Sequence, residues 1–368
     1  MSYNRIVVKL GTNLLTAGSD HLNQEIMASI VGQIARVYKQ GTEVIVVSSG
    51  AIAAGRHRLG LKESRYIPFR QVLAAVGQSH LMDAYERLFG WHEMTIAQAL
   101  LTRTDISSRL GYLNARNTLL SLLKLRVIPI VNENDVTAVD EIEEAIFGDN
   151  DNLSAMVANL IDADLLMLLT DAAGLYTADP GRDPNASLIP RVEKIDASIE
   201  RLAGGTHGGR GTGGMITKIE AAKMATASGV TVTIADGRLA DVIVRLVAGE
   251  SLGTSFPATT SKMESRRRWM LSQLSRGKLF VDSGAVAALR KQNKSLLPAG
   301  VTEVSGKFER GDVVNILDSD GEKVACGITN YSSKDVTAIK GTKSEKIAGL
   351  LGYEYGAEVV HRDNLVAL

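Results

Sequence analysis

Short runs of apolar residues alternate with longer stretches of helical periodicity over the first 250 residues or so of the chain. The runs at residues 5–10, 43–47, 94–101, 127–131, 165–169 and 230–235 have the length and composition of strands. Between them, residues 24–38, 68–89, 111–124 and 151–160 repeat apolar positions at the spacing of one helix face. Strands that are apolar on both faces and alternate with helices predict an α/β fold: a three-layer sandwich around a mostly parallel sheet. In such sheets a ligand sits beyond the carboxyl ends of the strands. Polar residues punctuate that edge: Gly11-Thr12-Asn13 after the first run, Ser48-Ser49-Gly50 after the second, Asn132-Glu133-Asn134-Asp135 after the fourth, and Thr170-Asp171 after the fifth. Each could be an ordinary cap or turn; four at one edge are a candidate site.

Near residue 254 the pattern changes. Pro257, Thr/Ser-rich sequence and Arg266-Arg267-Arg268 suggest a boundary, followed by short β-like runs at 278–282, 300–305, 312–317, 324–328 and 357–361. The expected organisation is a catalytic domain at 1–258, a linker at 259–275 and a small, mostly β domain at 276–368.

Composition narrows the class. The 368 residues fit two domains, and the chain has no apolar run of membrane-spanning length and no signal-like start. One cysteine, Cys326, excludes an intrachain disulfide and a cysteine-cluster metal site, and suits a cytoplasmic protein. With 41 basic and 41 acidic residues, net charge announces no nucleic-acid partner.

The densest chemical signal is the glycine-rich stretch 204–218, which runs into a helical segment. Bare backbone at a helix N-terminus attracts anions, so this stretch reads as a phosphate cradle, with a flexible surface loop as its alternative. Gly209 to Gly214 matches G-x-G-x-x-G, with Asp236 at about the right distance. No strand precedes it, however, and Met215-Ile216 replaces the Lys-Ser/Thr of a P-loop, so both motifs are rejected. Lys9 lies inside an apolar strand and must find a partner or reach an exposed edge. Lys218 sits in the first helical turn, where a cation opposes the dipole unless a phosphate is present. Gly148-Asp149-Asn150-Asp151-Asn152 offers more carboxylates and carboxamides than an N-cap needs. No histidine stands beside a candidate nucleophile, which argues against a serine or cysteine hydrolase.

Taken in order, Val8 to Thr12, Val47 to Ile52, Asn132 to Asp135, Phe147 to Asp151, Leu169 to Asp171, Gly174-Leu175-Tyr176 and Gly211 to Lys218 resemble the amino-acid kinase family, in particular its glutamate-phosphorylating branch. The tail, from Leu296 to Val301 and on through Gly352 to Gly356, resembles a PUA domain. The resemblance implies ATP-dependent phosphorylation of the γ-carboxylate of L-glutamate, the first step of proline biosynthesis, with Mg2+. It implies catalytic roles for Lys9, Lys218 and Asp151, and glutamate contacts at Ser49, Asp135 and Asn150. Nucleotide contacts are implied at Lys9, Thr170, Asp171, Thr212, Gly213, Gly214, Met215, Ile216, Thr217 and Lys218. It assigns no protein ligand to the metal. It adds feedback inhibition by L-proline, a homo-oligomer and, as a candidate partner, the next enzyme of the pathway, glutamyl-phosphate reductase. Two alternatives stay open: a related kinase acting on another acidic substrate, and a non-catalytic RNA-binding or regulatory protein using the tail. Sparse aromatics and a slight basic surplus in that tail argue against RNA.

Overall fold

The structure, a computed structural model, describes residues 3–61, 66–138, 150–204, 214–264 and 275–368. Asp149, Thr212, Gly213, most of the glycine-rich stretch and the triple-arginine run lie outside the described residues. The chain divides into two compact units, Met1–Ile106 with Ala115–Lys262, and Ser107–Asn114 with Met263–Leu368.

The first unit contains β1 (Arg5–Leu10), α1 (Thr12–Thr16), α2 (Gln24–Lys39), β2 (Glu43–Ser48), α3 (Ala51–Leu59), α4 (Ile67–Gly90), β3 (Ile96–Leu101) and α5 (Arg103–Ser107). Next come α6 (Arg109–Lys124, whose residues up to Asn114 are counted in the second unit), β4 (Ile128–Glu133), α7 (Asn150–Leu160), β5 (Leu165–Thr170), α8 (Ala197–Gly204), α9 (Met215–Ala227), β6 (Thr231–Asp236), α10 (Val242–Val247) and β7 (Thr254–Phe256). Its described strands form one sheet in the order β3-β4-β2-β1-β5-β6-β7, parallel except for β7. The chain builds outward from β1 to one side, then returns across it to β5. That makes the carboxyl end of β1 the switch point where a crevice opens.

The period-two alternation of β1 distributes its side chains between two layers. Ile6, Val8 and Leu10 join the core shared with α2, α4 and α10. Val7 and Lys9 face the other way, where α7 packs on β1 and β5 and α9 packs on α7. The sheet is thus the middle of three layers, as the alternating pattern predicts.

Two elements were not marked by the sequence pattern. Thr254–Phe256, within the expected catalytic domain, is the antiparallel edge strand β7, held by a register of three pairs with β6. Helix α3 gave no usable periodicity because its buried side is Ala51, Ala53, Ala54 and Gly55. Contact with α4 explains it. A Cβ at Gly77 would come within 1.7 Å of the Ala51 carbonyl oxygen, and one at Gly55 within 1.9 Å of the Leu73 carbonyl oxygen. The two helices therefore pack backbone to backbone, which only glycine allows.

The second unit contains β8 (Gly277–Val281), α11 (Ser283–Gln292), β9 (Val301–Gly306), β10 (Val313–Leu317), β11 (Lys323–Ile328), α12 (Ser333–Ile339), α13 (Ile347–Leu351) and β12 (Leu365–Ala367). Its strands are ordered β12-β11-β10-β8-β9, around a core that includes Leu279, Phe308, Ile316, Tyr331 and Val359. The run 357–361, expected to be a strand, makes only an isolated bridge from Val360 to Leu296; the last strand is β12. Backbone groups around 357–361 are used instead by loop partners: Asn330 and Leu296 pair with Val359, and Tyr331 Oη donates to the Gly356 carbonyl.

Candidate active site

A cavity of about 420 Å3 opens at the carboxyl end of β1, inside the first unit. Every punctuation loop at that edge contributes to its lining: Gly11 to Leu14, Ser49 to Ala53, Asn132 with Asp135, and Thr170-Asp171. Gly50 turns the chain from β2 into α3 at φ +103°, a left-handed conformation that costs other residues more.

The floor carries charge. Lys9, on the central strand, is 5 % exposed and its Nζ lies 2.5 Å from Asp151 Oδ1. Lys218 Nζ, from the first turns of α9, is 3.0 Å from Asp151 Oδ2, and Thr217 Oγ1 donates to the same oxygen at 2.9 Å. Asp151 itself is fully buried. Burial alone pushes its carboxyl up, but Lys9 and then Lys218 overcome this and hold it well below the usual carboxylate range. Two buried ammonium groups thus share one carboxylate at the cleft floor, donors of a kind that suit an anionic ligand.

Beside this triad lies a neutral network. Asn150 Nδ2 donates to Asn132 Oδ1 and Ser49 Oγ, each at 3.0 Å, and lies 3.3 Å from the Ser48 carbonyl oxygen. Asn132 Nδ2 donates to Gln78 Oε1 at 2.8 Å, while Asn132 Oδ1 also accepts from Glu133 N. A backbone carbonyl can only accept, so the Ser48 contact fixes which end of the Asn150 amide faces it. Asn150 Oδ1 is then a buried acceptor with no hydrogen-bond partner among the described residues. Such an atom is costly unless a ligand or water meets it.

On the β5 side, Thr170 Oγ1 donates to Asp171 Oδ1 at 3.0 Å, and Asn13 Nδ2 to Asp171 Oδ2 at 3.3 Å. The N-cap of α9 is Gly214, which has no side chain with which to cap the helix's first N–H groups.

The structure therefore gathers Lys9, Ser49, Asp135, Asn150, Thr170, Asp171 and Lys218 around one cleft, with Asp151 beneath. Gly214, Met215, Ile216 and Thr217 open α9 but do not line the cavity, and Ile216 is half exposed. Thr217 instead reaches Asp151. Thr212 and Gly213 lie outside the described residues. Sequence reasoning gave no role to Asn132, Gln78, Arg56 or Arg70, although all but Gln78 line the cavity and Gln78 holds Asn132. Asn132 stood within a singled-out motif. Gln78 shares its helical stretch with Gln71 and other polar residues, so periodicity alone did not single it out.

The sequence pattern of the amino acid kinase family matches residues 4–236, and that of the PUA domain residues 277–351. The chain belongs to the amino acid kinase family. Along its whole length it is 55 % identical over 368 residues to the glutamate 5-kinase of Dehalococcoides mccartyi, covering 100 % of this chain and 99 % of that one. The glutamate 5-kinase of Herpetosiphon aurantiacus is 50 % identical over 365 residues, covering 99 % and 98 % of the two chains. The glutamate 5-kinase of Deinococcus radiodurans is 49 % identical over 365 residues, covering 99 % and 100 %. The family expected from the motif series, and the PUA tail with it, are both found.

Proposed function

We propose that this chain transfers the γ-phosphoryl group of ATP to the γ-carboxylate of L-glutamate, giving L-glutamyl 5-phosphate and ADP as the first step of proline biosynthesis. The observation that carries this reading is the buried Asp151 held between Lys9 and Lys218 at the cleft floor. The full-length relatives named glutamate 5-kinase supply the acceptor. At about 420 Å3 the cleft is within the usual range of roughly 300–1,000 Å3 for small-molecule sites.

The chemistry asks for charge rather than a base. A γ-carboxylate with a pKa of about 4.3 is already ionised near neutrality, so its oxygen attacks the γ-phosphorus with no proton to remove. As that P–O bond forms, the bond to the β-phosphate oxygen breaks and its electron pair leaves with ADP. The obstacles are repulsion between two anions and charge on the phosphoryl group in flight. Lys9 and Lys218 meet both, one near the transferred group and the other on the leaving side. Asp151 positions the two ammonium groups. Ser49, Asp135 and Asn150 hold glutamate, Asp135 facing the α-ammonium and Asn150 Oδ1 accepting from it. Thr170, Asp171 and the 212–218 segment take the nucleotide.

Among the described residues, no group of three or more His, Cys, Asp or Glu lines the cleft. Asp151 is engaged by two cations. That donor set suits Mg2+ bound to phosphate oxygens and water, and no described side chain is assigned to it. Bound in that way, Mg2+ screens phosphate charge. The reading also includes cytoplasmic location, inhibition by L-proline, a homo-oligomer and hand-over to glutamyl-phosphate reductase.

The test exploits the product. Acyl phosphates react with hydroxylamine, so incubation with ATP, Mg2+ and hydroxylamine should accumulate a hydroxamate with glutamate. Accumulation with aspartate or N-acetylglutamate but not glutamate would reassign the acceptor. No ADP release with any acidic amino acid would end the kinase reading.

A further inference from the structure

Away from the cavity lining, the first unit carries a compact group of Asp20, His21 and His57 on its surface. Asp20 and His21 follow α1 in a tight turn. Ala17 (φ 51°) and Gly18 (φ 75°) reverse the chain, and Ser19 Oγ donates to the Thr16 carbonyl at 2.6 Å and lies 3.0 Å from the His21 carbonyl oxygen. His57 lies in the last turn of α3, where the helix dipole favours a positive charge. His21 Nδ1 lies 2.9 Å and His57 Nδ1 4.0 Å from the same oxygen, Asp20 Oδ1. The rings stand 5.2 Å apart. One candidate ligand atom from each residue falls within 4.8 Å of the others, and among the described residues this is the one group of three that does so.

Two imidazole nitrogens and a carboxylate form the donor set of many zinc sites, with water completing the shell. Bonds of about 2.0–2.2 Å in a tetrahedron set ligand atoms roughly 3.3–3.6 Å apart. The observed 2.9 and 4.0 Å fall on either side of that spacing. All three side chains are more than half exposed, so they can turn to close the difference. An ordinary surface cluster explains a His21–Asp20 hydrogen bond. A second imidazole, from another element, also stands at that oxygen, with Nδ1 4.0 Å away.

We propose that Asp20, His21 and His57 form a site for a divalent transition-metal ion of the zinc class. It joins the turn at 17–22 to the C-terminal turn of α3. Both segments also reach the cleft: Thr16, Gly18 and Ser19 line it on one, Ala51 and Arg56 on the other. The site is separate from the proposed phosphoryl transfer and stands or falls without it.

The test uses the full-length protein, stripped with EDTA and kept in excess Mg2+ to occupy sites that prefer hard cations. Titration with Zn2+ by calorimetry, and with Co2+ by visible absorption, should give one ion per chain. Losing an outer partner of a metal ligand already costs 10–100-fold, so His57→Ala and His21→Ala should each weaken binding by about 100-fold or more. Zn2+ should raise the Tm of the wild type and leave that of His57→Ala unchanged, because an ion that binds only the folded state stabilises it. The exposed position of these side chains keeps both variants foldable. Equal Zn2+ affinity and stoichiometry in the wild type and both variants would overturn the proposal. So would a wild type that binds no Zn2+ at 100-fold excess over protein.

Discussion

In the first turn of α7, Asn150 and Asp151 are consecutive residues serving opposite kinds of site. Asp151 sits between two ammonium groups and is fully buried. Asn150 instead meets Ser49 and Asn132, and Asn132 in turn holds Gln78, contacts made through amide and hydroxyl dipoles. Neighbours on a helix point about 100° apart, so one turn can divide a cleft into an ionic half and an amide half. The ionic half can neutralise a polyanion, but buried charges must stay paired. The amide half contributes direction: Asn150 Nδ2 and both ends of the Asn132 amide are oriented by their neighbours, while Asn150 Oδ1 and Gln78 Nε2 are buried with no hydrogen-bond partner among the described residues.

The comparison breaks most sharply at Asp151. Asp151→Ala removes the buried carboxylate that Lys9 and Lys218 share, and unfolding in denaturant should show a loss of about 3–5 kcal/mol. A loss under about 1 kcal/mol would mean that the ionic half does not depend on its carboxylate. Next comes Lys218→Ala, whose proposed contact strengthens in the transition state. Steady-state kinetics should show kcat falling about 10²–10³-fold while KM for ATP moves much less. Equal changes in both would make Lys218 a binding residue only.

A smaller effect is expected in the amide half. Asn132→Ala removes an acceptor of Asn150 and the partner of Gln78, at a cost of about 1–3 kcal/mol. The change should appear as a raised KM for the amino-acid substrate, with KM for ATP nearly unaltered. A change in ATP binding alone would erase the division. The smallest effect is on pH dependence. Because Asp151 is held low in the folded protein, its ion pairs stabilise the fold fully above the unfolded carboxylate value of about 4. That stabilisation is lost as pH falls below this and through the lower folded value. Asp151→Asn should therefore flatten the acid limb of stability against pH; parallel limbs in the two proteins would contradict the coupling.

Much of this was legible in the chain. The strands of the parallel sheet were readable to within two residues because strands buried on both faces must be apolar throughout, as β5 is. Lys9 stood out for the same reason: a charge in such a strand demands an explanation. Helix α3 was not legible, since its signal is the absence of side chains at Gly55 and Gly77, and that has meaning only once α4 lies against it. The three-residue strand β7 was too short for any periodicity and exists through its pairing with β6. Gln78 was not legible, because its partner Asn132 lies on another element.

By itself the sequence determined the alternation of strands and helices, the edge at which polar residues gather, and the residue types available there. Those follow from local periodicity and turn chemistry, which act over a few neighbours. Only the tertiary structure decided that Lys9 and Lys218, from a central strand and a distant helix, share a single carboxylate. It also decided that Asn150 and Asp151 face different halves of the cleft. Ion pairs and hydrogen bonds are made through space at about 3 Å, and no spacing along the chain encodes a distance that packing alone sets.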